Sequence, residues 1–144
     1  MPQVTRPELH HIALTVTDLD ASVGWYEEVF GVRFQKDIPH DGGVGRLLAD
    51  EARELIIVLH HHDANEGGPF TETATGLDHV GLRVPSRADL EAWQAHLEAN
   101  GVERCPVADA PSTQSPIADE AYASVLVFRD PDNIQLELSC PPGG

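Results

Sequence analysis

His11, His79 and Glu137 are the three side chains whose types and settings suit a divalent cation. Neutral imidazole and ionised carboxylate both offer lone pairs to such an ion. A set of two histidines and one carboxylate leaves several coordination positions open, which Fe(II) favours and Zn(II) accepts. A cation so held acts as a Lewis acid on adjacent oxygens of a small molecule or, as Fe(II), holds a catecholic substrate beside dioxygen. Glu137 or a neighbouring histidine would then serve as base. A single histidine on a strand is more often structural, so the setting carries the weight. His11 opens His-Ile-Ala-Leu-Thr-Val, His79 opens His-Val-Gly-Leu-Arg-Val, and Glu137 lies in Ile-Gln-Leu-Glu-Leu near the end of the second half.

The two histidine strings begin an internal repeat. Residues alternate in direction along a strand, so His11, Ala13 and Thr15 oppose Ile12, Leu14 and Val16. His79 and Arg83 likewise oppose Val80, Leu82 and Val84, and Gln135 and Glu137 oppose Ile134, Leu136 and Leu138. The three candidate ligands fall on the polar parity. Thr15, Arg83 and Gln135 share it and become candidate substrate contacts. Each string runs into a helix. The first spans about Asp20 to Phe30, with Val23, Tyr26 and Phe30 as its stripe and Gly31 as its stop. The second starts at Ser86, with Asp89 as a capping-box acid, a stripe of Leu90, Trp93 and Leu97, and Asn100-Gly101 as its stop. Tyr26 and Trp93 read as core residues.

Three strand-like stretches follow each helix: 32–38, 45–49 and 54–60, then about 102–107, 123–128 and 133–139. His40-Asp41-Gly42-Gly43 and Asp130-Pro131-Asp132-Asn133 supply turns. Each half therefore reads βαβββ. The expectation is one domain over 1–144, with module one at about 9–62, a linker at 63–76 and module two at about 77–139. Ala108 to Tyr122 interrupts the second half and reads either as a binding loop or as a tolerated insertion. Phe70 in the linker and Tyr122 in this loop are candidate linings of a cavity mouth. His60-His61-His62 alternates in direction, so the three cannot all converge. It reads as a strand end running into a polar loop, or as presenting His61, which shares parity with Ile57, as a substitute ligand or base. His10 reads as a strand-entry surface residue, since parity lets only one of His10 and His11 face a cavity. Arg83 suits a carboxylate or phosphate through forked hydrogen bonds. Arg46 reads equally well as a surface residue.

Paired βαβββ modules with this placement of His, His and Glu resemble the vicinal oxygen chelate superfamily. That group includes glyoxalase I, methylmalonyl-CoA epimerase, extradiol ring-cleaving dioxygenases, fosfomycin-resistance enzymes and bleomycin-resistance proteins. Three strings carry the resemblance, which runs from about Leu9 to Leu138: His-His-Ile-Ala-Leu-Thr-Val-Thr-Asp-Leu-Asp-Ala-Ser-Val-Gly-Trp-Tyr, Gly-Leu-Asp-His-Val-Gly-Leu-Arg-Val and Phe-Arg-Asp-Pro-Asp-Asn-Ile-Gln-Leu-Glu-Leu. It implies an α+β fold whose paired modules form a curled, barrel-like mixed sheet with helices outside. It also implies a divalent ion (Fe(II), Zn, Ni or Mn), a homodimer, and a lyase, isomerase or ring-cleaving dioxygenase. Lyases and epimerases of the group usually draw a fourth ligand from the last strand of module one. Here that strand holds Leu55-Ile56-Ile57-Val58-Leu59, and the matching Ile57 cannot coordinate. Extradiol dioxygenases use the three-ligand set, although their usual chains carry a further pair of modules. The missing ligand also admits a second function, a non-catalytic protein that sequesters an aromatic or cationic antibiotic.

A net charge of −15, with Lys36 the single lysine, repels phosphates and anionic membranes, so a small molecule is the expected partner rather than nucleic acid or membrane. No apolar run approaches the roughly 20 residues of a membrane span. Met-Pro-Gln-Val-Thr-Arg-Pro-Glu lacks the apolar centre of a signal peptide. Cys105 and Cys140 form no disulfide framework. A reduced, cytoplasmic protein is the expectation.

Overall fold

The computed structural model describes residues 3–143, so Met1 and Pro2 of the N-terminal string lie outside it. The chain forms two compact units, one ending at Asn65 and the other beginning at Glu66. Two helices and two mixed sheets among the described residues place it in the α+β class.

The first unit contains β1 (Ile12–Thr15), α1 (Leu19–Phe30), β2 (Arg33–His40), β3 (Gly43–Ala49) and β4 (Ile56–His62). The sheet order is β1-β4-β3-β2, parallel between β1 and β4 and antiparallel elsewhere. The Asp18 carboxylate accepts from the Ala21 N–H at 3.1 Å and starts α1; Gly31, in the left-handed region at φ 70°, ends it. The helix buries Ser22, Tyr26 and Val29 rather than the expected Val23, Tyr26 and Phe30. Small Ser22 allows close approach to the sheet, while Val23 and Phe30 flank the contact, half-buried. Phe30 stacks on Tyr26 with centroids 5.7 Å apart. One face of the sheet carries Leu14, Val16, Leu48, Ile57 and Leu59, all buried. Each such aliphatic contributes about 1.5–3 kcal/mol. Arg46 is no loose surface residue: it reaches Asp20 at the start of α1 at 2.6 Å and Asp37 at 3.3 Å. The opposite face holds a smaller apolar group of Ile38, Leu47, Ala49, Ile56 and Val58. Asp41-Gly42 closes β2 onto β3, with Gly42 at φ 80°, a two-residue hairpin of the Asp-Gly kind. Because β4 runs to His62, His61 and His62 are strand residues and not the start of a loop.

The second unit contains β5 (Val80–Arg83), α2 (Arg87–Ala99), β6 (Glu103–Arg104), β7 (Thr113–Gln114), β8 (Ala118–Asp119), β9 (Ser124–Arg129) and β10 (Gln135–Cys140). The order is β5-β10-β9-β7-β6, with β8 also on β9. The Ser86 hydroxyl accepts from the Asp89 N–H at 3.3 Å and donates to the Asp89 carboxylate at 2.6 Å. Leu90 and Leu97 are fully buried, whereas Trp93 is only half-buried. The strand expected over 102–107 shrinks to two residues, because Pro106 has no N–H to extend the ladder. The stretch expected as a loop over 108–122 supplies β7 and β8, and the Ser115 N–H donates to Val127 O at 2.9 Å. It is laced to β9. Arg129, 6% exposed, completes the lacing: Nε donates to Ala108 O at 2.8 Å and its two terminal nitrogens grip the Glu72 carboxylate at 2.9 Å each.

The linker is tied down as well. The Phe70 N–H donates to Asp132 O at 2.8 Å, and the Asn133 amide donates to Phe70 O at 3.2 Å. The Asp130 carboxylate accepts from the N–H groups of Asp132 and Ile134 at 2.8 Å each, which shapes the turn before β10. Cys105 and Cys140 are free thiols. No helix among the described residues is long and apolar enough to cross a membrane.

Candidate metal centre

In the second unit, His79 stands one residue before β5 and Glu137 sits on β10, where register sets it beside Gly81. A Cβ at residue 81 would lie 3.4 Å from the Glu137 carboxylate, so glycine leaves the space beside that oxygen open. His79 Nδ1 lies 2.7 Å from Asp78 Oδ1, and Nε2 lies 3.4 Å from Glu137 Oε2. With Asp78 accepting from Nδ1–H, Nε2 is the nitrogen turned toward a carboxylate oxygen, a pairing that either a proton on Nε2 or a shared cation would satisfy. The Asp78 hydrogen bond raises the His79 pKa above the ordinary imidazole value, burial opposes it, and the Glu137 charge adds to it. Ligand atoms at about 2.0–2.2 Å from one ion, at angles between about 90° and 110°, lie about 2.8–3.6 Å apart. The observed pair fits such an ion. Arg83, exposed, pairs in register with Ser139, and half-buried Gln135 pairs with Arg129. Phe70 is half-buried and Tyr122 is 75% exposed.

In the first unit, His11 is exposed and also stands one residue before its strand. Its Nδ1 is 2.8 Å from His10 Nδ1, with the rings edge to face at 5.1 Å. The expectation that parity separates His10 from His11 is therefore corrected: both precede β1, so strand alternation does not govern them. Register makes a second correction. Glu137 pairs with Gly81, and Ala13, the residue equivalent to Gly81 in the first histidine string, pairs with Val58. Val58, not Ile57, is the counterpart of Glu137. Ile57 pairs with Ile12 and is fully buried on the helix side. The chemistry is unchanged, since valine coordinates no better than isoleucine. His61 follows Ile57 onto that side, opposite to His60 and His62, so its reading as a substitute ligand loses its footing.

The other side of this sheet holds a pocket of about 470 Å³ lined by Thr15, Ile38, His40, His60 and His62, among others. The ligand nitrogens of His40, His60 and His62 all lie within 4.8 Å of one another. Burial, and then the neighbouring charges of His40, His62 and His11, push the His60 pKa down, which favours neutral imidazole. Sequence reasoning missed this grouping. Alternation rules out three consecutive convergent histidines, yet it leaves His60 and His62 on one face, and His40 sits at the hairpin that returns to them.

The glyoxalase/bleomycin resistance protein/dioxygenase superfamily model matches residues 8–138. The chain belongs to that superfamily. Among curated relatives, the uncharacterized protein YaeR of Escherichia coli K12 is 28% identical over 134 residues, covering 91% of this chain and 94% of that protein. A trivalent organoarsenical cleaving enzyme of Thermomonospora curvata is 32% identical over 91 residues, 63% of this chain and 53% of that protein. A lactoylglutathione lyase of Schizosaccharomyces pombe is 26% identical over 152 residues, 91% of this chain. The chain spans about half the length of the last two, 53% and 46%. Among solved structures, a glyoxylase/bleomycin resistance protein/dioxygenase domain from Frankia sp. EAN1pec superposes with a TM-score of 0.81 at 30% identity, covering 97% of this chain and 96% of that one. The fosfomycin resistance protein FosX of Listeria monocytogenes, complexed with Mn(II) and sulfate, shares the fold at a TM-score of 0.62 and 17% identity, covering 96% of each chain.

Proposed function

We propose that this superfamily member is a divalent-metal-dependent enzyme, a lyase, isomerase or ring-cleaving dioxygenase that binds a small substrate through adjacent oxygens. One observation carries the reading: His79 Nε2 faces Glu137 Oε2 at 3.4 Å while Asp78 fixes the far side of the ring. Fe(II), Zn(II), Ni(II) or Mn(II) would be held by His79 and Glu137, with His11, the counterpart of His79 in the repeat, as third ligand. The Mn(II) complex of FosX and the lyase activity named for the fission-yeast relative support this choice. When bound, such an ion supplies Lewis acidity to neighbouring substrate oxygens. Asp78 keeps His79 in the tautomer that presents Nε2. Glu137 is the proton acceptor. Arg83 donates forked hydrogen bonds to a substrate carboxylate or phosphate, with Gln135, Thr15, Phe70 and Tyr122 as the remaining contacts. The same reading expects a homodimer in the cytoplasm.

The test is turnover of hemithioacetal and catechol panels by tag-free protein, stripped of metal and reloaded with each ion in turn. Metal-dependent turnover that Glu137→Ala and His79→Ala abolish is the expected result. Inertness to both panels with every ion would sink the proposal. Val58 at the Glu137 counterpart favours one second reading, a scaffold that has dropped catalysis and sequesters a cationic antibiotic on an acidic surface. Tight, metal-independent binding of such a drug is its signature.

A further inference from the structure

We propose that the first unit binds a borderline divalent ion, Zn(II) or a near neighbour, through His40, His60 and His62. Strand register builds the site. Gly43 on β3 pairs with His40 of β2 on one side and His62 of β4 on the other, and Gly45 pairs with His60. Directly paired residues share a face, so the three imidazoles stand on one side of the sheet with bare backbone between them. A Cβ on Gly45 would come within 2.7 Å of His60 Cε1, and one on Gly43 would strike the His61 carbonyl oxygen and also lie 2.7 Å from His40 Cε1. At residue 45 the His60 ring fills the volume that a side chain would otherwise take, and at residue 43 the His40 ring shares it with backbone.

Laid across that backbone, the rings draw together, with centroids 5.2 Å apart for His40 and His60, 5.1 Å for His40 and His62, and 5.9 Å for His60 and His62. His40 Nε2 lies 3.2 Å from His60 Nδ1, inside the range of about 2.8–3.6 Å for two ligand atoms on one ion. The third nitrogen, within 4.8 Å, closes by a small rotation of the exposed His62 ring. An outer partner is also in place. His40 Nδ1 lies 3.1 Å from the Asp41 carbonyl, which takes its proton and leaves the Nε2 lone pair facing inward, the usual orienting device for a ligating histidine.

An all-imidazole set selects Zn(II), Ni(II) or copper over the hard, oxygen-seeking Mg(II) and Ca(II). Three nitrogens leave a fourth tetrahedral position for a small oxygen ligand, and Thr15 lines the same pocket. His11 is not one of the three converging donors, although its charge reaches His60. His40, His60 and His62 include none of His11, His79 and Glu137, so the two metal proposals share no ligand and stand or fall separately.

The experiment titrates Zn(II) alone into tag-free, chelator-stripped protein by calorimetry, in a background of His79→Ala with Glu137→Gln. One equivalent of Zn(II) is expected, and adding His62→Ala or His40→Ala removes it. Gly45→Ala keeps all three imidazoles and is expected to remove it as well. Circular dichroism of the metal-free variants checks folding; should Gly45→Ala fail to fold, the exposed His62 decides. No Zn(II) uptake in the double-variant background, or uptake unchanged by His62→Ala, overturns the proposal.

Discussion

Asp78 makes the difference between a histidine that lies near a carboxylate and one that is aimed at it. With Nδ1 held at 2.7 Å, the His79 ring is turned so that Nε2 approaches Glu137 at 3.4 Å, the arrangement that the proposed ligand pair needs. Orienting partners of this kind contribute about 10–100-fold to metal affinity. Asp78→Asn is therefore expected to weaken Mn(II) or Zn(II) binding at the His79–Glu137 pair by about that factor, read by titration of the His62→Ala protein so that the other histidines do not contribute. Unchanged affinity would remove Asp78 from the account. The internal repeat, with His79 leading into β5 as His11 leads into β1, was enough to single out His79 alongside Glu137 in the sequence. Alternation gave no hint of Asp78 and does not strictly reach His79 either, because both precede β5 and a residue outside a ladder has no parity to read. The same limit explains His10 and His11. Ile57 was mistaken for Val58 for a different reason: pairing register is a property of two strands, and a shift of one residue exchanges the faces.

At the scale of elements, the helices were legible because most of their ends carry chemical punctuation: Ser86 as a cap, Gly31 and Asn100-Gly101 as stops; the Asp18 cap lies two residues before the expected start at Asp20. Two-residue strands such as β7 and β8 carry no period, and only their pairing to β9 reveals them. Arg129 and Glu72 join this edge to the linker, and the join is pH-sensitive. The Arg129 guanidinium holds the Glu72 carboxylate down to about 2 from an ordinary 4.5. A depressed carboxylate stabilises the fold fully above its unfolded pKa and loses that contribution as pH falls through the folded one. Glu72→Gln is thus expected to melt below wild type by a constant margin above pH 4.5, and the margin closes between 4.5 and about 2. Thermal melts across that range check it; a margin that persists undiminished at the acid end would show that the carboxylate charge is not what matters. Glu72 is about a third exposed, so solvent screening keeps the margin small.

For the whole molecule, the repeat points to two similar halves; each of the two compact units carries one helix against one mixed sheet among the described residues. The lengths of the halves did not announce how far the second is elaborated at its β9 edge. Charge acts at this scale too. With 24 acidic residues against nine basic ones, the surface repels itself, and salt relieves that repulsion as the Debye length falls from about 30 Å at 0.01 M to about 8 Å at 0.15 M. The melting temperature of metal-free protein is expected to rise over that interval of a monovalent chloride. A fall would mean that exposed ion pairs such as Arg46–Asp20 and Arg87–Asp119 outweigh the net charge.

The glycines of β3 bind the fates of positions far apart in the chain. A Cβ at residue 45 would meet only the His60 ring, so a side chain gained there forces that ring to move or be lost. Residue 43 is closed on a second ground, since a Cβ there would strike the His61 carbonyl oxygen whether or not His40 remains. Positions 45 and 60 therefore change together or hold still together, while a library randomised across the strand should keep glycine at 43 in every survivor.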